Sequence, residues 1–264
     1  MENKKFISSA ANPIIKNIQL LKNKKNERKK QGLFIVEGIK SISEIPQGYE
    51  IDTLVMSDLF DDSLLQVKAT RNTLLVPSEL FKAISDTQTP QGILALVKMK
   101  TIELEEIKVK PNGFYLLLEN LQDPGNLGTI IRSAYGFGVD AIFLTKGCVD
   151  LYSPKTVRST MGASLHVPVI LDYTLEEYLT WAKKHSLTCF TTALGDTAKE
   201  IAHADFKKGL MLMIGNEGNG ISQEALDQAD QNVYIPMPGG LESLNASIAA
   251  SICMYEVMRQ RLEG

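Results

Sequence analysis

The sequence is poor in cysteine and has no long apolar run. Its three cysteines, Cys148, Cys189 and Cys253, are far apart and lack CxxC spacing, so we expect neither a disulfide framework nor a zinc site and interpret them as buried thiols. No window approaches the roughly 20 apolar residues that span a bilayer, and the Lys-rich N-terminus lacks the apolar core of a signal peptide. We therefore predict a cytoplasmic protein without a membrane segment.

The chain also carries little net charge, and that charge is unevenly distributed. An evenly spread formal charge of −3 would argue against a nucleic-acid partner, since phosphate contacts dominate such affinity. Residues 1–30, however, hold nine basic residues against two acidic ones. A basic arm on an acidic body suits RNA, although a charge run that only aids solubility fits equally well. The candidate RNA contacts in the arm are Lys22, Lys24, Lys25, Arg28, Lys29 and Lys30.

Hydrophobic runs divide the 264 residues into two parts. In the first part, short apolar runs that predict strands lie at 33–36, 54–56, 74–76 and 93–97. Helix-like segments between them predict a small α/β domain. The next stretch is charged and closes with Pro-Asn-Gly, which indicates a linker. We therefore predict an arm plus small domain at 1–98, a linker at 99–112 and a second domain at 113–264.

The second part has longer apolar runs, which are continuous rather than alternating. They lie at 114–118, 141–144, 187–194, 210–214 and 233–235. Strands buried on both faces have this pattern, so we predict a parallel sheet covered by helices. The predicted helices are 129–137, 154–165, 175–184, 222–229 and 244–261.

The loop that follows the first of these runs carries a polar cluster. Pro124 and Gly125 favour a tight turn, Asn126 can cap the helix that follows, and Arg132 falls in the second turn of that helix. The glycines do not form GxGxxG, so a dinucleotide-binding fingerprint is not supported. The alternative interpretation is a capped helix with a surface arginine.

A second unusual loop, GNEGNGIS at 215–222, follows the run at 210–214. Its three glycines let the backbone approach a ligand closely and hold Glu217 at the edge of the sheet. Ligands of open parallel sheets collect at the carboxyl ends of the strands, so this loop indicates a binding site. A Gly-rich turn capped by Ser222 is the alternative.

The third loop, at 235–247, reads IPMPGGLESLNAS and leads into a long apolar helix. Two prolines and two glycines make it rigid. Ser243 can serve as the N-cap of the helix, a role compatible with ligand contact. Capping does not require Asn245 as well, so Asn245 is a candidate site residue.

Together the three segments resemble the SpoU/TrmH family of RNA ribose methyltransferases, within the SPOUT class. Asn126 and Arg132 match the first family motif, 215–221 the second, and 235–237 with 243–247 the third. Their order, spacing and position near the C-terminus agree with the family pattern.

The resemblance extends over almost the whole chain. GLFIVEG at 32–38 and PQGILA at 90–95 are similar to the family's substrate-binding domain, which has a ribosomal-protein-like fold. Two features depart from the family pattern. Ala246 stands where the family often has Val, and the acidic body is unusual for an RNA enzyme.

The resemblance implies an α/β fold with a small α/β substrate-binding domain followed by a parallel-sheet SPOUT methyltransferase domain. The latter would contain a C-terminal trefoil knot, an exception to the usual absence of knots. The implied cofactor is S-adenosylmethionine, held in the knot largely through backbone groups. Its contacts would be Gly215, Ile235, Leu244, Thr192, Ala193 and Leu194.

The implied reaction is methylation of a ribose 2′-hydroxyl in RNA. An arginine is a poor base at neutral pH, so we expect Arg132 to stabilise the developing alkoxide rather than to remove the proton. Asn126, Glu217, Ser243 and Asn245 would orient Arg132 and the ribose, with Glu217 alternatively bracing the loops through backbone amides. No metal is required, because the sulfonium of the cofactor already carries the activating charge.

The last helix is apolar on more than one face, which fits extra core or the homodimer that the family implies. We expect a homodimer. His166, His185 and His203 lie outside the motifs and are expected to be surface or packed residues, and Trp181 to be core.

The separate N-terminal domain favours ribosomal RNA, most specifically 23S rRNA, as the substrate by analogy. The alternatives are a tRNA 2′-O-methyltransferase and a non-catalytic RNA-binding or ribosome-assembly protein, the latter disfavoured by the intact motif residues. A nucleotide-dependent oxidoreductase is weaker still, since the dinucleotide fingerprint is lacking.

Overall fold

The structure is a computed structural model that describes residues 4–65, 70–195, 197–240 and 243–263. The chain divides into two compact units. The first combines Met1–Lys100 with Asp150–Leu165, and the second combines Thr101–Val149 with His166–Gly264. Each unit has its own β-sheet.

Within the described residues, the first unit has a mixed five-stranded sheet in the order β1-β4-β3-β5-β2. The strands are β1 Lys4–Phe6, β2 Leu33–Glu37, β3 Ile51–Ser57, β4 Asn72–Val76 and β5 Ile93–Lys98. The helices before β5 are α1 Pro13–Asn23, α2 Lys25–Gln31, α3 Ile39–Ser43 and α4 Ser78–Ile84. All four predicted strands are confirmed. β1 was missed because its residues, Lys-Lys-Phe, are all exposed and give no apolar pattern.

The basic arm folds into helices α1 and α2. Asn12 caps α1, its side chain accepting a hydrogen bond of 2.9 Å from the N–H of Ile14. Ile15, Ile18 and Leu21 recur at helical spacing and are buried. The arm is therefore anchored to the first unit by an apolar helix face rather than extending as a tail.

Arg28 lies in the interior of the first unit. Its guanidinium pairs with Asp150 through both Nε, at 3.0 Å, and Nη2, and its Nη1 donates to the carbonyl of Leu21 at 2.6 Å. Arg28 is only 4% exposed, and its charge is paired with Asp150. A phosphate therefore cannot reach it. The expectation that Arg28 contacts RNA is corrected accordingly.

In the described part of the chain, the second unit has a seven-stranded parallel sheet in the order β10-β12-β9-β11-β6-β7-β8. The strands are β6 Phe114–Leu118, β7 Ala141–Thr145, β8 Val169–Tyr173, β9 Thr188–Thr192, β10 Lys199–Glu200, β11 Leu210–Ile214 and β12 Gln231–Tyr234. The main helices are α5 Pro124–Gly136, α7 Leu175–Lys184, α8 Gln223–Gln228 and α9 Ala246–Leu262.

The predicted parallel sheet is confirmed. Every residue of β6, β7 and β11 is buried, as expected for strands covered on both faces. β8 and β10 were not predicted. Pro168 interrupts the apolar run before β8, and β10 has only two residues, neither of them apolar.

Helix α6, Pro154–Ser159, belongs to the first unit. It is shorter than the predicted helix because Met161 adopts a left-handed φ of 52°, after which the chain makes a short 3-10 turn. Val157 and Leu165 join an apolar cluster with residues of β2 and β5. The predicted second domain includes Asp150–Leu165, whereas the structure groups this segment with the first unit.

The caps of α5 and α9 differ from the predicted ones. Asp123, not Asn126, caps α5 by accepting a hydrogen bond of 2.8 Å from the N–H of Asn126. Asn245, not Ser243, caps α9 by accepting from two N–H groups of its first turn. Ser222 caps α8, the role that the alternative interpretation of the Gly-rich loop gave it. Capping thus accounts for part of the role of Asn245.

The core of the second unit contains Trp181, whose ring lies 5.3 Å from that of Tyr115, which confirms the expectation for Trp181. Cys189 and Cys253 are buried as expected, whereas Cys148 is only partly buried. Burial raises the pKa of the Cys189 thiol to about 11. None of the described helices is long and apolar enough to cross a membrane, and no group of acidic, His or Cys side chains among the described residues could hold a metal.

Candidate active site

The three unusual loops follow β6, β11 and β12, at the carboxyl edge of the parallel sheet. The loop after β11 is a tight turn in which Asn216 and Gly220 exchange two main-chain hydrogen bonds of 2.9 Å. A Cβ on Gly215 would lie 2.2 Å from backbone atoms of Gly220, so only glycine fits at position 215. The turn holds Glu217 beyond the end of the strand.

The carboxylate of Glu217 links this turn to the loop after β6. Its Oε1 accepts hydrogen bonds from the N–H of Asp123 at 2.9 Å and from Nδ2 of Asn126 at 3.1 Å, and its Oε2 accepts from the N–H of Gln122 at 3.0 Å. Partial burial would raise the pKa of the Glu217 carboxyl, but these hydrogen bonds outweigh it and the pKa lies below its usual range. Glu217 is therefore held as a carboxylate that braces the two loops.

Asn126 carries the connection onward to the third loop. Its Oδ1 accepts a hydrogen bond of 3.0 Å from Nδ2 of Asn245. The Oδ1 of Asn245 in turn accepts from the N–H and hydroxyl of Ser247, at 2.9 and 2.7 Å. One chain of hydrogen bonds thus runs from Glu217 through Asn126 and Asn245 to the N-terminus of α9. We call Glu217, Asn126 and Asn245 the polar network.

Arg132 lies on an exposed position of α5. It follows Asn126 by six residues, which places it about 9 Å further along the helix axis. Its guanidinium makes no hydrogen bond or ion pair with any residue in the described ranges. A cation that lacks such partners is available to an anionic ligand.

A cavity of about 400 Å³ adjoins the polar network, at the ends of β9, β11 and β12. It is lined by all six residues predicted to contact the cofactor, which are Thr192, Ala193, Leu194, Gly215, Ile235 and Leu244. Glu217 and Ser243 also line it, whereas Asn126, Arg132 and Asn245 do not. The structure thus brings the predicted cofactor residues together in one place, and we call this space the cofactor cavity.

Several residues that line the cofactor cavity were not named individually as cofactor contacts, although Asn216, Ile221 and Met237 lie within the matched motifs. They include Asn216, Ile221, Leu226, Tyr234, Met237 and Ala249. The Pro-Met-Pro sequence around Met237 was a usable signal, because both flanking prolines stiffen the backbone there. Leu226 and Ala249 lie inside helical patterns, where a core residue and a cavity residue look alike.

The predicted RNA contacts in the arm differ in accessibility. Lys24, Lys25, Lys29 and Lys30 are exposed on the first unit. Lys22 is half-buried, and its Nζ donates to the carbonyl of Ser85. Phosphates can approach the four exposed lysines freely. Lys22 is only partly accessible to them.

A parallel sheet with a cavity and a polar network at its carboxyl edge defines an α/β enzyme site. Residues 113–255 match the SpoU rRNA Methylase family, and residues 12–95 match the MRM3-like substrate binding domain. The chain belongs to the SpoU rRNA methylase family.

Individual relatives match over nearly the full chain. The 23S rRNA (guanosine(2553)-2′-O)-methyltransferase RlmP of Bacillus subtilis is 34% identical, over 96% of this chain and 99% of its own length. The 23S rRNA (uridine(2479)-2′-O)-methyltransferase of Streptomyces viridochromogenes is 30% identical, over 93% and 89%. The crystal structure of an AdoMet-bound rRNA methyltransferase from Sinorhizobium meliloti superimposes with a TM-score of 0.88 at 29% identity, over 97% of each chain.

These comparisons confirm the predicted family and its enzyme class, rRNA ribose 2′-O-methyltransferases. They also confirm S-adenosylmethionine as the cofactor of a structural neighbour. The predicted order of domains is confirmed in its coarser form, with a substrate-binding domain before a parallel-sheet methylase domain.

Proposed function

We propose that the protein transfers a methyl group from S-adenosylmethionine to a ribose 2′-hydroxyl of 23S rRNA. The observation that carries this proposal is the polar network, which ties three separate loops together beside the cofactor cavity. The named activities of the B. subtilis and S. viridochromogenes relatives, which match along nearly the whole chain, support 23S rRNA as the substrate.

The cofactor cavity fits S-adenosylmethionine in size and in chemistry. Its volume of about 400 Å³ lies in the range of small-molecule sites. Met237 and Leu244 line it, and their main-chain N–H groups donate to no residue that the structure describes. Such unused N–H groups can pair with the acceptor nitrogens of adenine. When bound, the cofactor would supply a methyl group activated by a positively charged sulfur.

Residues from three loops would hold the cofactor. Thr192, Ala193 and Leu194 follow β9, Gly215 follows β11, and Ile235 and Leu244 follow β12. The tight turn at Gly215 lets the backbone come close to the ligand without a side chain in between.

Arg132 would stabilise the negative charge that develops on the ribose oxygen. A guanidinium is a donor of hydrogen bonds and no acceptor, and that of Arg132 has no protein partner in the described ranges, so it suits an anion better than it suits proton removal. An RNA phosphate is the candidate acceptor for the proton of the hydroxyl.

The polar network would position the groups that touch the substrate. Glu217 fixes Asn126 through Nδ2, and Asn126 fixes Asn245 through Oδ1. Ser243 lines the cofactor cavity just ahead of the α9 cap, where its hydroxyl can contact the ribose or the cofactor. Such preorganisation contributes to catalysis because the groups need not reorganise during reaction.

We further propose that the exposed arm lysines, Lys24, Lys25, Lys29 and Lys30, contact the phosphates of the RNA. The proposed domain limits are 1–98 for the arm and substrate-binding domain, 99–112 for the linker and 113–264 for the methyltransferase domain. A ribosomal-protein-like fold of the first domain and a trefoil knot in the second are part of this proposal.

A homodimer completes the proposal. Ile248, Ile252 and Tyr255 lie on one side of α9 and are 53%, 38% and 50% exposed, which leaves an apolar face uncovered. A second copy of the chain would bury this face. A cytoplasmic location is part of this proposal, and the match to the bacterial relative of B. subtilis along nearly the whole chain supports it.

The test is to map 2′-O-methylated riboses in 23S rRNA from cells with and without the gene. Loss of one modified ribose, restored by the wild-type gene but not by an Arg132→Ala allele, is the expected result. If 23S rRNA is unchanged and a tRNA modification is lost, the substrate is tRNA rather than 23S rRNA. If no RNA changes, the proposed activity is contradicted.

A further inference from the structure

A second cavity, of about 440 Å³, shares the turn at 216–221 with the cofactor cavity. Its polar lining residues are Glu119, Asn120, Gln122, Asn216, Asn219 and Ser222. Four of these six carry a carboxamide, so we call this space the carboxamide cavity. Neither the predicted cofactor contacts nor the polar network include Glu119, Asn120 or Asn219.

Glu119 is the charged group of this cavity. It follows β6 directly, is only 5% exposed and yet lines the cavity. Its Oε2 accepts a hydrogen bond of 2.8 Å from the N–H of Ser222. Its Oε1 accepts no hydrogen bond from any described residue. Glu119 lines the cavity although most of its side chain is buried, so an N–H or O–H group of a bound ligand can donate to this oxygen.

Gln122 joins the carboxamide cavity to the polar network. Its main-chain N–H donates to Glu217, whereas its side-chain Nε2 donates to the carbonyls of Asn120 and Gly147, at 3.1 and 2.7 Å. The Oε1 of Gln122 accepts no hydrogen bond within the described ranges, so it is a further acceptor at the cavity. A ligand in this cavity would therefore lie next to the groups proposed to position the ribose.

The lining chemistry defines the class of ligand. No lysine or arginine of the described residues lines the cavity, and the Glu119 carboxylate would repel a phosphate. The edges of nucleobases, by contrast, are read by carboxamides and carboxylates, with a carboxylate accepting from an amino group.

We propose that the carboxamide cavity binds a base of the rRNA substrate close to the methylated ribose, and that Glu119 selects a base with an exocyclic amino group. This inference rests on the proposed function, since the ligand is the proposed substrate. Glu119 is thus a specificity-determining residue, while the polar network acts on the ribose. A uracil, which lacks the amino group, would leave the Glu119 oxygen with fewer partners.

The first test uses Glu119→Gln, which preserves the shape of the side chain and an acceptor for Ser222 but replaces the second oxygen by an amide. The dissociation constant of a transcribed 23S rRNA fragment is measured by filter binding. We expect binding to weaken about tenfold, with unchanged S-adenosylmethionine affinity and melting temperature. Glu224→Gln, at an exposed carboxylate on α8 outside both cavities, is the matched control and should bind like wild type.

Gln122→Ala guards against a Glu119 variant that fails to fold. It removes the side chain from the cavity but keeps the main-chain N–H that donates to Glu217. We expect it to weaken RNA binding in the same direction. The proposal would be overturned if Glu119→Gln bound the RNA as tightly as the wild type does. If Glu119→Gln does not fold, the same result with Gln122→Ala would overturn it.

The second test removes single amino groups from the RNA. Guanosine is replaced by inosine, adenosine by purine riboside and cytidine by pyrimidin-2-one riboside at each position near the methylated ribose. At one position the replacement should weaken binding to the wild-type protein about tenfold. The Glu119→Gln variant should bind the replaced RNA and the unreplaced RNA equally well, because the substitution and the replacement remove the same interaction.

Effects that add at every position would overturn the proposal. The readout is binding, so the two proposals fail separately. A wild-type protein that shows the position-dependent binding but forms no 2′-O-methylribose would contradict the proposed function alone. If the wild-type protein methylates the RNA but Glu119→Gln binds the RNA with the same affinity as the wild type, only the proposed base site is contradicted.

Discussion

Asn126 accepts a hydrogen bond of 3.0 Å from Asn245, across 119 residues of sequence. Each of the two carboxamides has a second partner, Glu217 for Asn126 and the first turn of α9 for Asn245. Asn245 therefore does two things at once: its oxygen caps a helix and its nitrogen fixes another site residue. The two roles can be separated by substitution.

Asn245→Asp should keep the cap and lose the link, because aspartate accepts from the helix N–H groups but cannot donate to Asn126. We expect near wild-type stability with a strongly reduced kcat. Asn245→Ala should lose both, with about 1 kcal/mol of stability lost in addition. Urea unfolding and single-turnover methylation measure the two effects. Equal activity of Asn245→Asp and wild type would contradict a positioning role for the link.

Arg132→Lys preserves the charge but loses the planar fork of the guanidinium. Turnover should fall about 100-fold, in line with the loss of a group that stabilises developing charge. The affinity for S-adenosylmethionine, measured by calorimetry, should stay within about twofold, since Arg132 does not line the cofactor cavity. Arg71→Lys, at an exposed arginine of the first unit, is the control. Unchanged turnover of Arg132→Lys would remove this residue from the mechanism.

Glu217 links stability to pH. Its pKa is lowered on folding, so the ionised form stabilises the fold. This contribution is fully present above the usual carboxyl pKa and is lost as the pH falls through the lowered folded value. The difference in unfolding free energy between wild type and Glu217→Gln should thus be largest at pH 7 and shrink towards pH 3. A difference that grows on acidification would contradict the sign of the shift.

Gly215→Ala tests the tight turn after β11. The added Cβ would lie 2.2 Å from main-chain atoms of Gly220, so the turn must open. We expect a loss of at least about 2 kcal/mol of stability and of S-adenosylmethionine binding. At Gly218 the nearest atom to a Cβ is a side-chain oxygen at 3.5 Å, so Gly218→Ala serves as the tolerated counterpart. Melting temperature and calorimetry decide the comparison.

Arg28 and Lys30 should respond in opposite ways despite lying two residues apart. Arg28→Ala leaves Asp150 without its buried partner, and we expect a loss of about 3 kcal/mol of stability. Lys30→Ala should leave stability unchanged and weaken RNA binding, with a smaller dependence on salt concentration. An Arg28→Ala protein of normal stability would refute the interior role.

The sequence was most informative where the hydrophobic pattern is strong. The strand at 210–214 and the helix at 175–184 have the predicted limits, because buried strands and amphipathic helices show their period directly. The predicted cofactor residues meet at one cavity because the family motifs preserve loop spacing. The pattern failed for β1 and β10, which have no apolar signal, and for Arg28, whose burial depends on Asp150, 122 residues away.

The sequence also could not predict which hydrogen-bond partner each polar site residue has in the fold. Asp123 and Asn126 can both cap a helix, and only the fold shows that Asp123 does so, which frees Asn126 to contact Glu217 and Asn245. Nothing in the sequence marked Glu119, since a polar residue after a buried strand is common.

The excursion of Asp150–Leu165 into the first unit means that neither unit is one uninterrupted stretch of chain. A fragment ending at Lys100 would lack Val157 and Leu165, expose the apolar surface they cover and leave Arg28 as an unpaired interior cation. A cut after Lys100 would therefore divide the apolar core of the first unit rather than separate two independent units.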